Sequence, residues 1–394
     1  MDSAAGSEQA DNNPRLEAFI RQRVREAGGI TFAEFMGHCL YHPELGYYTS
    51  PRERIGKQGD FFTSSSVHAL FGRLIARQLV QMWELLGKGA FTIAEQGAGE
   101  GHLCLDILDA LAQEAPEFYR CLRYCLVEIG ASSRERQRAR LGAHLERVHW
   151  CKLDELQGME GCVLSNELVD AMPVHLIEKQ EGALREVFVV ERDGALSEEL
   201  REPSCPAIEA HLLRLGTGPV EGNRAEVNLE AADWMRQVAG LLKRGFVVTI
   251  DYGYPAEELY APFRRNGTLM CYHRHTTSED PYQRFGSQDI TAHVDFTGLQ
   301  MAGAEGGLET LYFGEQYRFL LGLGFLESLM EMQARETDEK RAMALRMTLK
   351  NLILPDGGMG SLFKVLVQGK GVGRPRLLCS RNIADIPLPA GGMF

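Results

Sequence analysis

A glycine-rich stretch at residues 95–102 decides the fold: Glu95-Gln96-Gly97-Ala98-Gly99-Glu100-Gly101-His102. The short apolar run before it, Phe91–Glu95, has the composition of a buried strand, and a helical pattern of leucines and isoleucines begins at Leu103. Glycines between a strand and a helix allow a tight turn and let the backbone approach a ligand closely. The stretch therefore predicts a loop that binds a nucleotide-type ligand.

The spacing of the glycines distinguishes two classes of ligand. A dinucleotide loop follows G-x-G-x-x-G, whose last small residue would fall at His102, and Glu100 at the helix N-terminus would repel a pyrophosphate. S-adenosyl-L-methionine has no phosphate and carries a cationic sulfonium, and E-x-G-x-G-x-G is the spacing of class I methyltransferases. The loop therefore predicts this cofactor, with S-adenosylhomocysteine as its product. The predicted loop contacts are Glu95, Gly97, Ala98, Gly99 and Gly101.

Short apolar runs alternate with helical patterns along the chain on both sides of this loop. Those after the loop are Leu122–Val127, Val148–Cys151, Cys162–Ser165 and Phe246–Ile250. This alternation predicts an α/β fold with a mostly parallel sheet covered by helices on both faces. Ligands of such sheets bind beyond the carboxyl ends of the strands, so the residues that follow each strand are the candidates for function.

Acidic residues follow the second and third predicted strands. Glu128 is predicted to accept the ribose hydroxyls of the cofactor, and Asp154 is predicted to meet the adenine amine. Taken singly, either carboxylate could instead be a solvated loop charge or a helix N-cap. Their combination with the glycine loop favours the binding hypothesis.

The fourth predicted strand ends in three further polar residues, which are the candidate catalytic residues. Asn166, Glu167 and Asp170 lie where a methyl acceptor would approach the sulfonium, and Asn166 is also a candidate cofactor contact. A pair of carboxylates would bind a guanidinium group bidentately and favour its nucleophilic form. The alternative is that Asn166 and Glu167 cap a following helix.

Composition excludes several classes of function. The formal net charge of −12 over 394 residues disfavours a general nucleic-acid binder. No apolar run is long enough to span a membrane and no signal peptide is evident, so a cytoplasmic protein is expected. Nine scattered cysteines without a C-x-x-C pair predict neither a disulfide framework nor a metal site. The oligomeric state is left open, a homodimer included.

The chain is longer than a single hydrophobic core usually accommodates, so the residues beyond the cofactor-binding sheet are assigned to segments around it. A hairpin of Val174–Lys179 and Arg185–Val190 marks the insertion. The predicted segments are a disordered stretch 1–13, a helical region 14–88 with a lid-like loop, a methyltransferase core 89–314 with an insertion at about 172–232, a helical block 315–358, and final strands with a tail at 359–394.

A series of sequence blocks over roughly residues 40–368, in the order expected for the family, resembles the MidA family of class I methyltransferases. They include residues 42–48 (HPELGYY), 59–63 (GDFFT), 95–101, 127–129 (VEI), 166–173 (NELVDAMP), 251–253 (DYG), 267–269 (GTL) and 289–296 (DITAHVDF). The resemblance implies a seven-stranded Rossmann-like sheet and methylation of a protein, with arginine favoured because eukaryotic members are mitochondrial complex I assembly factors that methylate protein arginine. It also implies cofactor contacts at Asp60, Thr63 and Ile129, the first two on a lid.

The chain departs from the family pattern at Gln96, Ala98 and Glu100, and at Ser65–Ser66 where the family has Pro-Glu. These departures motivate an alternative, a catalytically weak or inactive assembly protein that keeps the methyltransferase fold. A nicotinamide-dependent oxidoreductase is a third, disfavoured hypothesis. Asp289, His293 and Asp295 form a second candidate polar group, with Asp295 as a helix N-cap in the alternative interpretation. The basic stretch 132–140 is predicted to be the solvated face of a helix.

Overall fold

The strands and helices follow the alternation of the sequence. The computed structural model of the chain describes residues 12–50, 68–335, 338, 340, 343, 347, 352–353 and 361–382. The strands of these residues are β1 Ile30–Thr31, β2 Phe91–Gln96, β3 Leu122–Val127, β4 Val148–Cys151, β5 Met159–Asn166, β6 His175–Gln180, β7 Ala183–Arg192, β8 Ala195–Arg201, β9 Arg224–Val227, β10 Leu242–Tyr254, β11 Met270–His273, β12 Thr276–Ser278, β13 Asp289–Thr291, β14 Val294–Asp295, β15 Glu309–Glu315 and β16 Phe363–Lys370.

The α-helices connect these strands and cover the sheet. They are α1 Pro14–Ala27, α2 Phe32–Tyr41, α3 Leu70–Leu85, α4 His102–Glu114, α5 Pro116–Cys121, α6 Ala131–Arg140, α7 Pro206–Leu215, α8 Leu229–Leu241, α9 Ala256–Leu259, α10 Phe296–Glu305, α11 Gln316–Gly322 and α12 Phe325–Arg335. Within the described ranges, no helix is long and apolar enough to cross a membrane.

The main sheet has the strand order β15-β16-β10-β5-β2-β3-β4, and the short strand β14 pairs with β10. Strands β10, β5, β2, β3 and β4 pair in parallel, while β16 runs antiparallel to both β10 and β15. This confirms the predicted α/β sheet. Since β2 lies between β5 and β3, the glycine loop that follows β2 lies at the middle of the carboxyl edge.

Two apolar layers cover the faces of this sheet. Neighbouring residues along β2 point to opposite layers, since Ile93 packs in the layer of α3 and α4, and Ala94 packs in the layer of α8 and α10. Both side chains are almost fully buried. Burial on both faces accounts for the continuous apolar runs in the sequence.

The N-terminal helices pack on the inserted strands. Helix α1 is capped by Asn13, whose side chain accepts the amide hydrogens of Arg15 and Leu16, and it ends at Gly28 with φ +67°. Strand β1 then pairs with β7, with Ile30 opposite Val189. The N-terminal region and the insertion therefore share one apolar core.

The predicted hairpin is confirmed as β6 and β7 and is part of a larger antiparallel sheet. Its order is β1-β7-β6-β9, and β8 pairs with the other edge of β7. A third sheet, β12-β11-β13, carries Tyr272 and Asp289. The predicted lid at Asp60 and Thr63, residues 1–11 and the tail from 383 lie outside the described residues. The segment boundaries predicted above stay predictions.

Candidate active site

The glycine loop crosses the end of β2 in a conformation that favours glycine. Gly97, Gly99 and Gly101 have φ values of +75°, +53° and +81°. A Cβ on Gly97 would lie 2.9 Å from Cδ1 of Leu168, so the loop also packs closely on the segment after β5. The sequence therefore requires glycine here for both backbone angle and space.

Two cavities adjoin at this loop. The larger holds about 410 Å³ and the smaller about 100 Å³. Tyr48, Gly97, Gly99 and Glu167 line both cavities. The larger cavity extends along the ends of β2 and β3, while the smaller lies beyond Glu167 toward β10 and β13. The arrangement suits two ligands that meet at a shared wall.

Glu128 lies at the wall of the larger cavity. Its Oε1 accepts the amide hydrogen of Gly130 at 2.8 Å, and its Oε2 accepts a hydrogen bond from Nε2 of Gln137 at 3.3 Å. Burial raises the pKa of Glu128, against these hydrogen bonds, which lower it. Beside it, Ile129 also lines the cavity and is 68% exposed. The cavity thus presents a carboxylate next to an open apolar surface.

Gln137 holds this wall in place, although no sequence pattern singles it out. The residue is fully buried in helix α6. Its Nε2 donates to the carbonyl oxygen of Gly99 at 2.8 Å, and its Oε1 accepts from Nε1 of Trp150 at 2.8 Å. One amide therefore connects the glycine loop, Glu128 and strand β4. A glutamine in a polar helical stretch carries no pattern that would reveal such a role.

Three arginines of the basic stretch 132–140 contact the glycine loop or the Glu128 backbone, while Glu135 and Arg138 face solvent. Arg136 and Arg140 contact the Glu100 carboxylate at 3.4 and 3.2 Å, and Arg140 also donates to the Glu100 carbonyl oxygen at 2.7 Å. Arg134 donates to the carbonyl oxygen of Glu128. The prediction of a solvated face is wrong for these three arginines. Because Glu100 is paired with two cations, its predicted repulsion of a pyrophosphate loses its basis.

The smaller cavity is lined mainly by acidic and aromatic side chains. Asn166 donates from Nδ2 to Oε1 of Glu167 at 2.9 Å, and Glu167 has φ +53°, which is unusual for a residue with a side chain. No helix follows within the described residues 167–173, so the capping alternative for Asn166 and Glu167 is wrong. The carboxyl and aromatic residues of the cavity are Glu95, Glu167, Asp170, Asp289, Tyr48, Tyr252 and Tyr272.

Asp251 holds the turn that presents these residues. It is fully buried, and its Oδ2 accepts the amide hydrogens of Leu168, Val169 and Asp170 at 3.1, 2.8 and 3.4 Å. Burial, and then the nearby carboxyl groups of Asp251, Asp289 and Glu167, raise the pKa of Asp170 well above its usual range. The rule applied to the other strand ends would have found Asp251, since it follows the apolar run 246–250.

Two tyrosines from the N-terminal region close the site. Tyr48 donates from its hydroxyl to Oδ2 of Asp289 at 2.8 Å, and its ring stacks on Tyr41 at 5.5 Å between centroids. Tyr41 donates to the carbonyl oxygen of Ala171 at 3.1 Å. Both rings come from residues before the glycine loop in the sequence. The walls of the two cavities are therefore completed by a distant part of the chain.

Several predicted residues lie elsewhere. Asp154 is exposed and lines neither cavity, so its predicted contact with adenine gains no support. Gly101 also lines neither; a Cβ there would contact Gln137 at 3.4 Å, so this glycine packs the loop on α6. Asp295 caps α10 by accepting the Gly298 amide hydrogen, which confirms the capping alternative. His293 lines a third cavity, described below.

The larger cavity fits S-adenosyl-L-methionine. Because Gly97 has no Cβ, its backbone can lie close to a ligand in this cavity. Glu128 can accept hydrogen bonds from ribose hydroxyls, and Ile129 offers an apolar face to a base. Oδ1 of Asn166, at the junction with the smaller cavity, is buried without a hydrogen bond among the described residues and could accept from a ligand ammonium. No phosphate-binding cation is required for such a ligand.

Comparison with known proteins identifies the family. A family model described as an S-adenosyl-L-methionine-dependent methyltransferase matches residues 74–314. The chain belongs to the MidA family of methyltransferases. A crystal structure from Burkholderia thailandensis, described as a methyl transferase and bound to S-adenosyl-homocysteine, is 34% identical, with a TM-score of 0.85 over 93% of this chain and 94% of that one. The class I methyltransferase fold and the cofactor predicted from the loop are thereby confirmed.

Curated relatives carry a more specific name. The chain is 28% identical to the mitochondrial protein arginine methyltransferase NDUFAF7 of Bos taurus over 99% of this chain and 92% of that protein. It is 29% identical to the human protein of the same name over 82% and 76%. These names do not support the expected cytoplasmic location, because they describe mitochondrial proteins.

The buried Glu95 carboxyl predicts that the stability of this protein depends on pH. Burial raises the pKa of Glu95 to about 7, although the hydrogen bond from Tyr124 at 2.6 Å lowers it. An acid whose pKa is raised by folding costs stability as it ionises. We therefore expect the free energy of unfolding of the wild type, relative to Glu95→Gln, to fall between about pH 4.5 and 7, by up to about 3 kcal/mol.

Urea unfolding across pH 5 to 8 measures this difference. Glu135→Gln is the control, because Glu135 is exposed on α6 and the substitution makes the same chemical change outside the buried site. A difference between wild type and Glu95→Gln that stays constant across this range would contradict a raised pKa.

Proposed function

We propose that this methyltransferase methylates the guanidinium group of an arginine in a protein partner, and that Glu167, Asp170 and Asn166 form its catalytic group. The observation that carries the proposal is the smaller cavity, where four carboxyl side chains and three tyrosine rings adjoin the glycine loop. Carboxylates match the planar fork of a guanidinium group, and aromatic faces bind its delocalised charge. The names of the curated relatives point the same way.

The proposal also assigns the cofactor to the larger cavity. Glu128 would bind the ribose, and Ile129 would contact the base. The backbone of Gly97 and Gly99 would bind the amino-acid part. Glu95 and Asn166 would complete the wall toward the acceptor. When bound, the cofactor supplies an electrophilic methyl group on a cationic sulfur. The predicted contacts of Ala98, Asp60 and Thr63 remain part of this proposal.

The chain's own groups would align the acceptor and receive its proton. A guanidinium nitrogen that forms a bond to carbon must lose a proton. A carboxylate within the smaller cavity, called the acceptor cavity from here on, can accept that proton. Glu167 is suited to this role because it lies on the wall that both cavities share. Tyr48, held on Asp289, would shield the cavity from water on the side of the N-terminal region. Alignment and exclusion of water are the main requirements of an in-line displacement.

Two measurements on the purified chain test the proposal. Calorimetric titration with S-adenosylhomocysteine should give saturable binding, and incubation with S-adenosyl-L-methionine and protein extracts should give methylarginine by mass spectrometry of hydrolysates. Methylated lysine or carboxyl groups instead would contradict the assignment of the acceptor. Binding of S-adenosylhomocysteine without any methylated product would favour the alternative, a methyltransferase-fold assembly protein.

A further inference from the structure

A third cavity of about 390 Å³ adjoins the acceptor cavity through Tyr272, whose side chain lines both. It lies between the antiparallel sheet that contains β6 and β7, the segment 264–272 and His293. Residues of β6, β8 and β9 form part of its wall. Neither the cofactor nor a single arginine side chain accounts for this space. Its position beside the acceptor cavity suits the residues that neighbour a target arginine in a protein chain.

The charges around this cavity are unequally paired. Arg224 is held by Glu198 at 2.7 Å and by Glu178 at 3.5 Å, so two carboxylates balance its charge. Arg264 lines the same cavity, and among the described residues its carboxylate partner is Glu258, at 3.6 Å and on a side chain 50% exposed. The Arg264 side chain is itself only 17% exposed. Its guanidinium group is therefore a sheltered cation with a weakly placed counter-charge.

Two further groups make the surroundings of Arg264 receptive to an anion. Lys364 and Arg264 lie over the same Tyr254 ring, at 5.3 and 4.1 Å from its centroid. Nδ1 of His293 is buried and has no hydrogen-bond partner among the residues that the structure describes. Burial and these two cations lower the pKa of His293 to about 4. At neutral pH the ring is uncharged and can still donate one hydrogen bond.

Resting on the proposed function, we propose that this cavity binds a carboxylate side chain of the substrate near the methylated arginine, with Arg264 as its partner. The enzyme would then select arginines that have an acidic neighbour. The acceptor cavity is acidic. This one is lined by Arg224 and Arg264 together with Glu198 and Glu279, and it offers Arg264 as a sheltered cation, so the two cavities together match a segment that carries both charges. Charge-assisted pairing with a sheltered guanidinium group is strong enough to decide such a preference.

A peptide scan tests the preference directly. The probes are fluorescein-labelled nonapeptides with a central arginine and with glutamate, glutamine or lysine at each other position in turn. Their affinities are measured by fluorescence anisotropy with S-adenosylhomocysteine present. We expect at least one position where glutamate binds about tenfold more tightly than glutamine, and Arg264→Gln should reduce this preference to about twofold or less.

Two variants separate charge recognition from damage to the fold. Arg265→Gln removes the same charge from the next residue, which is exposed and does not line the cavity, and it should keep the preference. Arg264→Lys keeps a cation and should retain part of the preference, with thermal unfolding recorded for every variant. The absence of any glutamate preference, or its persistence in Arg264→Gln, would overturn the proposal. Methylation of the arginine peptides without such a preference would overturn it while leaving the proposed function intact, whereas neither binding nor methylation would overturn both.

Discussion

Replacing Glu167 with glutamine is expected to lower the turnover of methyl transfer by about 100-fold or more. Glutamine keeps the size of the side chain and an oxygen that can accept the Asn166 hydrogen bond, but it cannot take a proton. Glu167 follows β5 with φ +53°, and glutamine tolerates this conformation no worse than glutamate. The affinity for S-adenosylhomocysteine should therefore change by less than about twofold, because one hydrogen bond at the shared wall is retained.

Turnover is measured as methylarginine formed per enzyme, and affinity by calorimetry on the same preparations. Glu155→Gln is the matched control, since Glu155 is exposed and lines neither cavity. Turnover equal to that of the wild type would remove Glu167 from the mechanism. A loss of S-adenosylhomocysteine binding of the same size as the loss of turnover would instead make it a cofactor contact.

The second large effect concerns stability. Gly161 lies in β5 between Thr92 of β2 and Gly245 of β10, and a Cβ on it would lie 2.0 Å from the carbonyl oxygen of Thr92. The neighbouring backbone cannot move away without disturbing the central pairing of the sheet. We expect Gly161→Ala to lower the free energy of unfolding by about 3 kcal/mol or more, from overpacking together with backbone strain at φ +149°.

Gly158→Ala is the control for backbone angle alone. Gly158 has φ +77°, and a Cβ on it would meet no atom within 4 Å. Its substitution should cost about 1 kcal/mol, the ordinary penalty for a side chain in the left-handed region. Urea unfolding followed by circular dichroism measures both variants. Equal losses for the two would show that strain, and not the close approach to Thr92, decides the requirement for glycine at 161.

The parts of the site that the sequence could predict are those set by local pattern. The glycine loop and the residues after each strand follow from the alternation of elements, because parallel strands bring their carboxyl ends to one edge. Glu128, Asn166, Glu167 and Asp170 were found in this way, and each lines a cavity. Asp154 obeys the same rule but ends in solvent, since a short 3₁₀-helix, Leu153–Leu156, turns it outward.

The parts that could not be predicted depend on contacts between distant segments. Tyr48 reaches Asp289 across 241 residues, and Gln137 reaches Gly99 across 38 residues from α6. Arg136 and Arg140 belong to a stretch whose composition resembles a solvated helix, and only the packing of α6 on the loop pairs them with Glu100. Residue type and spacing carry no information about such partners.

In the proposed function, the cofactor and the acceptor share the wall of Tyr48, Gly97, Gly99 and Glu167, so the occupancies of the two cavities are thermodynamically linked. Whatever factor a bound cofactor applies to the affinity for the acceptor, the acceptor must apply to the affinity for the cofactor. S-adenosylhomocysteine is linked to the acceptor through the same wall by a coupling factor of its own. Product inhibition therefore reports the coupling of the acceptor to S-adenosylhomocysteine, and substrate affinity reports its coupling to S-adenosyl-L-methionine.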